Sequence, residues 1–170
     1  DDSPPGKKRG HTSIHDKNEC TYGEVIPCNG KCCKCCSMIA CTESSVKHFT
    51  SSVTKKEYKV RGGCMTCSSQ NLIYLQTCKK CGIQYVGETS VQLNKRMTNH
   101  RTNINNSLKE TCHEMHFSNN GHSGCSVHDI TVLPIEKIHD FPEISNLNAR
   151  NKAKKELRYE REEWWMRELW

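Results

Sequence analysis

Two short apolar runs joined by a cysteine-bearing turn constrain this chain more than any other feature. Leu72-Ile73-Tyr74-Leu75 and Ile83-Gln84-Tyr85-Val86 carry the β-branched and aromatic residues of half-buried strands. Between them, Cys78-Lys79-Lys80-Cys81-Gly82 has the C-x2-C ligand spacing of a zinc knuckle. The spacing predicts a β-hairpin whose turn is pinned by metal. Gly87 then breaks the strand pattern, and Thr89-x-x-Gln92 has the form of a capping box. Leu93, Met97, His100 and Ile104 recur at helical spacing, so a helix is expected next. On it Arg96 and His100 stand one turn apart, and a fixed cation and a proton carrier share a face.

The remaining cysteines extend the metal theme. The chain has 13 cysteines and 9 histidines, and only 34% of its 170 residues are hydrophobic, so metal staples are expected to compensate for a small core. The odd cysteine count, the repeated C-x2-C spacings and the lack of an apolar leader point to reduced thiolates on zinc rather than disulfides. The plain alternative is buried free cysteine acting as a hydrophobe. Between Cys20 and Cys67 the pairs Cys32/Cys35 and Cys33/Cys36 overlap, and Cys64-x2-Cys67 follows a β-prone stretch in which Thr54-Lys55-Lys56 can turn between Phe49–Val53 and Glu57–Val60. Spacing alone leaves the ligands open. Farther on, His116 and His122 flank a turn at Asn119-Asn120-Gly121. With Cys78 and Cys81 they make a Cys2His2 site, for which Cys112, His113 and Cys125 are nearby alternatives.

Residues 127–138 read as a third strand, placed at an edge by Pro134, and a long helix is expected from near Ser145 to the end. Near its close Glu162 shares a stripe with Trp165, Met166 and Leu169, whereas Glu163 shares a side with Tyr159, Arg167 and Trp170. A carboxylate facing a core wants a partner or a metal. Residues 1–19, with Pro4-Pro5-Gly6 and Lys7-Lys8-Arg9, read as a flexible basic arm or linker. The net charge of +6 permits a polyanionic partner, and no stretch is long and apolar enough to span a membrane. The chain begins at Asp1 without methionine and is expected to be a piece of something longer.

Tyr74 and Tyr85 on paired strands, Gly87, and then Arg96-x3-His100 on the next helix resemble the core of the GIY-YIG nucleases. The Cys78-Lys79-Lys80-Cys81 insertion followed by Gln84-Tyr85-Val86-Gly87-Glu88-Thr89 is similar to the Penelope-like retroelement branch of that family. The likeness runs from Cys28 to Leu169, with Leu72 where the family usually has glycine and Val86 where it has isoleucine. Arg161-Glu162-Glu163-Trp164-Trp165-Met166 resembles the R-E-x-x-W-M element that holds the family's glutamate, aligning on Glu162. A P-C-x4-C-K-x-C segment with a later cysteine selects Cys28, Cys33, Cys36 and Cys67 as a first zinc site beside the one at the knuckle.

The resemblance implies an α+β fold: a small antiparallel sheet flanked by helices over residues 71–170, a zinc-stapled appendage over 20–70 and the arm before it. It implies a DNA endonuclease in which Glu162 holds Mg²⁺ and Arg96 grips the scissile phosphate in a fork of donors. Tyr74 would be the base, its hydroxyl made more acidic by Arg96 and the metal, with Tyr85 and His100 positioning water and relaying protons. The expected setting is nuclear, with DNA, a reverse transcriptase domain and its template RNA as partners and nicking of target DNA as the task. A catalytically silent zinc-stapled module that only binds nucleic acid or protein fits the charge and the cysteines equally. Convergence of Tyr74, Tyr85, Arg96, His100 and Glu162 on one cleft separates the two readings.

Overall fold

A computed structural model describes residues 23–39, 44–106, 111–118 and 124–170. The expected arm over 1–19, Cys20, Cys41 and His122 lie outside the described residues. Strands β1 (Glu24–Val25), β2 (His48–Thr50), β3 (Glu57–Lys59) and β4 (Cys64–Met65) precede β5 (Leu72–Cys78). There follow β6 (Gln84–Thr89), the helices α1 (Leu93–Asn105) and α2 (Cys112–Phe117), strand β7 (Ile130–Lys137) and helix α3 (Leu147–Leu169). The chain is thus a mixed α+β fold of small sheets and helices.

Strands β6, β5 and β7 form an antiparallel sheet in that spatial order, so β5 is central. Helices cover both of its faces. Tyr74 and Gln76 point toward α1, where they meet His100 and Met97. On the other face, Glu88 and Glu136, both opposite Ile73, are held by Arg158, Arg161 and Trp165 of α3. A strand covered on both sides needs no polar alternation, and Leu72 through Gln76 are all buried.

Strand β7 is an edge strand, as Pro134 requires, and its register steps from Ile73↔Glu136 to Tyr74↔Pro134, leaving Ile135 as an extra residue. The cysteine-rich segment attaches along this edge. Arg61 N–H donates to Ile135 at 2.9 Å, Lys137 N–H donates to Arg61 at 3.1 Å, and Ile39 bridges to Val132. The β2–β3 hairpin goes further, placing Phe49 and Tyr58 each 5.5 Å from the Trp165 ring. Tyr58 O–H and Ser51 O–H then donate to the carbonyls of Glu168 and Leu169 in the last turn of α3. The segment expected as an appendage therefore shares a continuous core with residues 71–170. An apolar hairpin this short cannot bury its own aromatics, so it borrows α3.

Helix α1 buries Leu93, Met97, His100 and Ile104, the stripe its periodicity predicts. Its start differs from expectation. Thr89 turns back onto Val91 and Gln92 makes no side-chain cap, so no capping box forms. Instead the Leu93 and Asn94 N–H groups donate to the carbonyls of Ser69 and Cys67 at 3.0 and 2.8 Å. The start of α1 is therefore tied to the chain just before β5.

Candidate active site and metal centres

Tyr74, on the face of β5 toward α1, is the centre of one polar cluster. Its hydroxyl lies 2.9 Å from His100 Nε2 and accepts from Arg96 Nε at 3.2 Å. The spacing of Arg96 and His100 by one helical turn brings both onto the same phenol. The His100 Nδ1 stands 3.9 Å from the buried Glu114 carboxylate, which accepts from Asn103 Nδ2 at 2.7 Å. A carboxylate beside Nδ1 favours the ring proton there, so Nε2 is the acceptor and Tyr74 O–H the donor. Burial and the Arg96 charge hold His100 down at about 4, so its ring is neutral at pH 7.

Gly87 explains why the phenol fits. It lies opposite Tyr74 in the β5–β6 register, and a Cβ there would sit 2.6 Å from both Cζ and Oη of Tyr74. Gly87→Ala is expected to push the ring off its bond to His100 and to destabilise the fold by about 1–3 kcal/mol. Thermal unfolding measures the stability; an unchanged Tm would contradict this packing.

Glu162 reaches the same cluster from the opposite layer. Its charge acts on both Tyr74 and Arg96. Burial, then the Glu88 charge, push the Glu162 carboxyl above its ordinary value. Glu88 is itself neutralised by buried Arg158 at 2.6 Å, while among the described residues Glu162 forms no salt bridge. A half-buried carboxylate with no salt bridge among the described residues is open to a further cation. Trp165 and Leu169 on its stripe are buried as expected, but Met166 is exposed, and Glu163 pairs in solvent with Arg167 at 2.9 Å.

Two expectations are corrected here. The Tyr74 hydroxyl is pushed up, not down, because burial outweighs the nearby Arg96 charge. Among the described residues Tyr85 makes no hydrogen bond with Tyr74 or Arg96. It lies on the same face but packs on His113 and His116, at 5.5 and 5.7 Å between ring centres, and reaches the cluster through the 4.7 Å contact of His113 with His100. Arg96 and His100 thus bond to the Tyr74 phenol, Glu162 acts on it through its charge, and Tyr85 stands one ring away. His113 was a mere alternative ligand in the sequence. Its ring is buried with neither nitrogen hydrogen-bonded among the described residues, and burial holds it down at about 3.

The first thiolate cluster comprises Cys28, Cys33, Cys36 and Cys67, whose sulfurs all lie within 4.8 Å of one another. Cys36 Sγ is 3.4 Å from both Cys28 and Cys67, well beyond a disulfide bond. A tetrahedral ion with Zn–S of about 2.3 Å has ligand edges of about 3.8 Å, so the four sulfurs are sized for one. Their acidities are spread. Donation from the Gly30 backbone lowers Cys28 to about 7, whereas burial pushes Cys33 up to about 12. Crowded thiols cannot all ionise unaided, and a metal cation supplies the missing charge. This cluster can hold a zinc-like metal. Of the competing cysteines, Cys32 and Cys64 are exposed, and Cys35 is buried beside Cys67.

The second cluster brings together Cys78, His116 and Cys125, again within 4.8 Å of one another. Cys81 Sγ is 3.5 Å from His116 Nε2, and Cys78 Sγ is 3.6 Å from Cys125 Sγ. Burial alone would raise Cys78, but N–H donation from Cys81 and Lys80 across the knuckle outweighs it and lowers the thiol. Gly82, at φ +74, closes the knuckle in a conformation other residues resist. Lys79 N–H donates to the Asp129 carbonyl at 2.8 Å, docking the knuckle on the short helical turn just before β7. Of the expected set of Cys78, Cys81, His116 and His122, Cys78 and His116 fall in this group, Cys81 lies beside His116 without joining it, and His122 is outside the described residues. Cys125 takes a place the sequence left as an alternative, and the only signal for it was its position just past the turn.

No protein-family model, curated protein or solved structure matches the chain. Among the described residues, no helix is long and apolar enough to cross a membrane.

Proposed function

We propose that this protein is a divalent-metal-dependent DNA endonuclease of the GIY-YIG type, belonging to a Penelope-like retroelement. It nicks target DNA in the nucleus so that a reverse transcriptase can prime synthesis on its template RNA. The observation that carries this reading is the meeting of Tyr74, Arg96 and His100 through hydrogen bonds of 2.9 and 3.2 Å, with the charge of Glu162 on the same phenol. A module that only binds has no use for a buried tyrosine between a neutral imidazole and a guanidinium.

The chain's own residues divide the work of phosphodiester hydrolysis. Arg96 spends Nε on Tyr74 and keeps its terminal nitrogens for the scissile phosphate, where two N–H donors neutralise two oxygens. Because the Tyr74 hydroxyl is held up, it does not wait as a phenolate. It accepts the proton of the attacking water as its own passes to His100 Nε2, so no free charge forms on the buried oxygen. The water oxygen bonds to phosphorus and the bond to the 3′ oxygen breaks. Glu162 would hold Mg²⁺, which when bound offsets charge on the phosphoryl and leaving oxygens. Zinc at the two clusters is structural.

Purified protein should convert supercoiled plasmid to open circles with Mg²⁺ and not in excess chelator. Conversion in chelator with zinc still bound, or none with any divalent ion, would sink the reading. The acid limb set by His100 should fall well below the ordinary histidine value, toward about 4, since only its neutral ring accepts the proton. A kcat profile with an acid limb near pH 6.5 would remove His100 from this role.

A further inference from the structure

Helix α1 turns Arg96 and His100 inward, and its outer side forms part of a second feature. Lys95, Thr98 and Asn99 line a cavity of about 650 Å³ together with Lys34 on the cysteine-bearing loop. Lys34 also lines an adjoining cavity of about 410 Å³, with Lys79, Arg101 and His128. Lys34 thus stands on the wall of both, and the two cavities together make one cation-lined surface groove on this side of the chain. Among the described residues neither part is lined by a carboxylate, and Lys34, Lys95 and Arg101 form no salt bridge.

The geometry makes these cations more than a solvated face. Lys34 lies between Cys33 and Cys36, so its backbone is fixed by the first thiolate cluster rather than by a flexible loop. Lys95 and Arg101 are on a helix whose start is anchored to Cys67 and Ser69. They stand about 9 Å apart along its axis. Helix α1 thus presents Arg96 to the Tyr74 cluster and, about a quarter turn around its axis, Lys95 to the groove, so one rigid element carries both.

We propose that this groove grips the sugar-phosphate backbone of a nucleic acid next to the cleavage site, lengthening the footprint. The proposal rests on the endonuclease reading. Its chemistry is the regularly spaced phosphodiester, which either the target DNA or the template RNA supplies.

The test is the triple variant Lys34→Gln/Lys95→Gln/Arg101→Gln, with binding to a DNA duplex and an RNA duplex followed by fluorescence anisotropy without divalent ion. On DNA, each phosphate that a removed cation had neutralised should lower the slope of log affinity against log salt by about 0.9, so the three together should lower it by roughly 2–3. Affinity should weaken about tenfold or more at moderate salt. The control Lys152→Gln/Lys155→Gln, on α3 outside the groove, should keep the parent slope. A weaker slope on DNA alone assigns the groove to the target, on RNA alone to the template, and on both to a backbone shared by either. An unchanged slope on both duplexes, or an equal change in the control, overturns the proposal. Nicking by the parent chain is scored separately. A parent that binds through the groove but never nicks removes the endonuclease reading and leaves the groove, whereas a nicking parent whose triple variant binds as tightly does the reverse.

Discussion

Glu162→Gln should reduce nicking by roughly three orders of magnitude, about 4 kcal/mol of barrier, while leaving DNA bound. The substitution keeps the size of the side chain and removes only the charge that would hold Mg²⁺. Binding without divalent ion should hold or tighten slightly, because a negative charge facing phosphate is gone. Stability gives an independent check. The Glu162 carboxyl titrates above its ordinary value in the fold, so protonation favours the folded state and the ionised form at neutral pH opposes it. Glu162→Gln should therefore have an equal or higher Tm as activity collapses. A Tm that falls with the activity would mean that Glu162 is structural. Glu163→Gln, which removes an exposed partner of Arg167, should leave nicking intact. If Glu162→Gln weakened binding and cleavage in proportion, the binding-module reading would prevail.

The second large effect is expected at the first thiolate cluster. Cys36 Sγ stands between Cys28 and Cys67, and the Cys67 carbonyl holds the Asn94 N–H at the start of the helix that carries Arg96 and His100. Metal binding and folding are one equilibrium in small sites of this kind. Cys36→Ser should lower zinc content from two to one per chain and destabilise by more than about 4 kcal/mol, a Tm shift of roughly 10 °C or more. Cys32→Ser removes the exposed thiol of the competing pair and should keep both zinc ions. Metal analysis with thermal unfolding decides the matter. Full zinc in Cys36→Ser, or a loss in Cys32→Ser of the same size, would reassign the ligands.

Local pattern was enough for much of this molecule. Strand–knuckle–strand order, the buried stripe of α1 and the separation of Glu162 from Glu163 follow from periods of two and 3.6 residues, which neighbours in sequence already express. So does the shared face of Arg96 and His100. The four thiolates of the first cluster were a different case, because overlapping C-x2-C pairs are equivalent by spacing. Only the resemblance chose among them, and the fold then brought those four sulfurs together. Tertiary structure alone decided the rest. The β2–β3 aromatics needed the Trp165 surface of α3, so a segment legible as separate became part of one core. Gly87 was readable as a strand break, but its need to clear the Tyr74 ring depends on the register of two strands. Tyr85 had the right strand and the right face, yet the packing of α2 placed His113 between it and His100. The sign of the Tyr74 shift was beyond sequence as well. A neighbouring Arg96 can be read from helical spacing, but the burial that outweighs its charge comes from two helices closing on a sheet, and no local pattern records that depth.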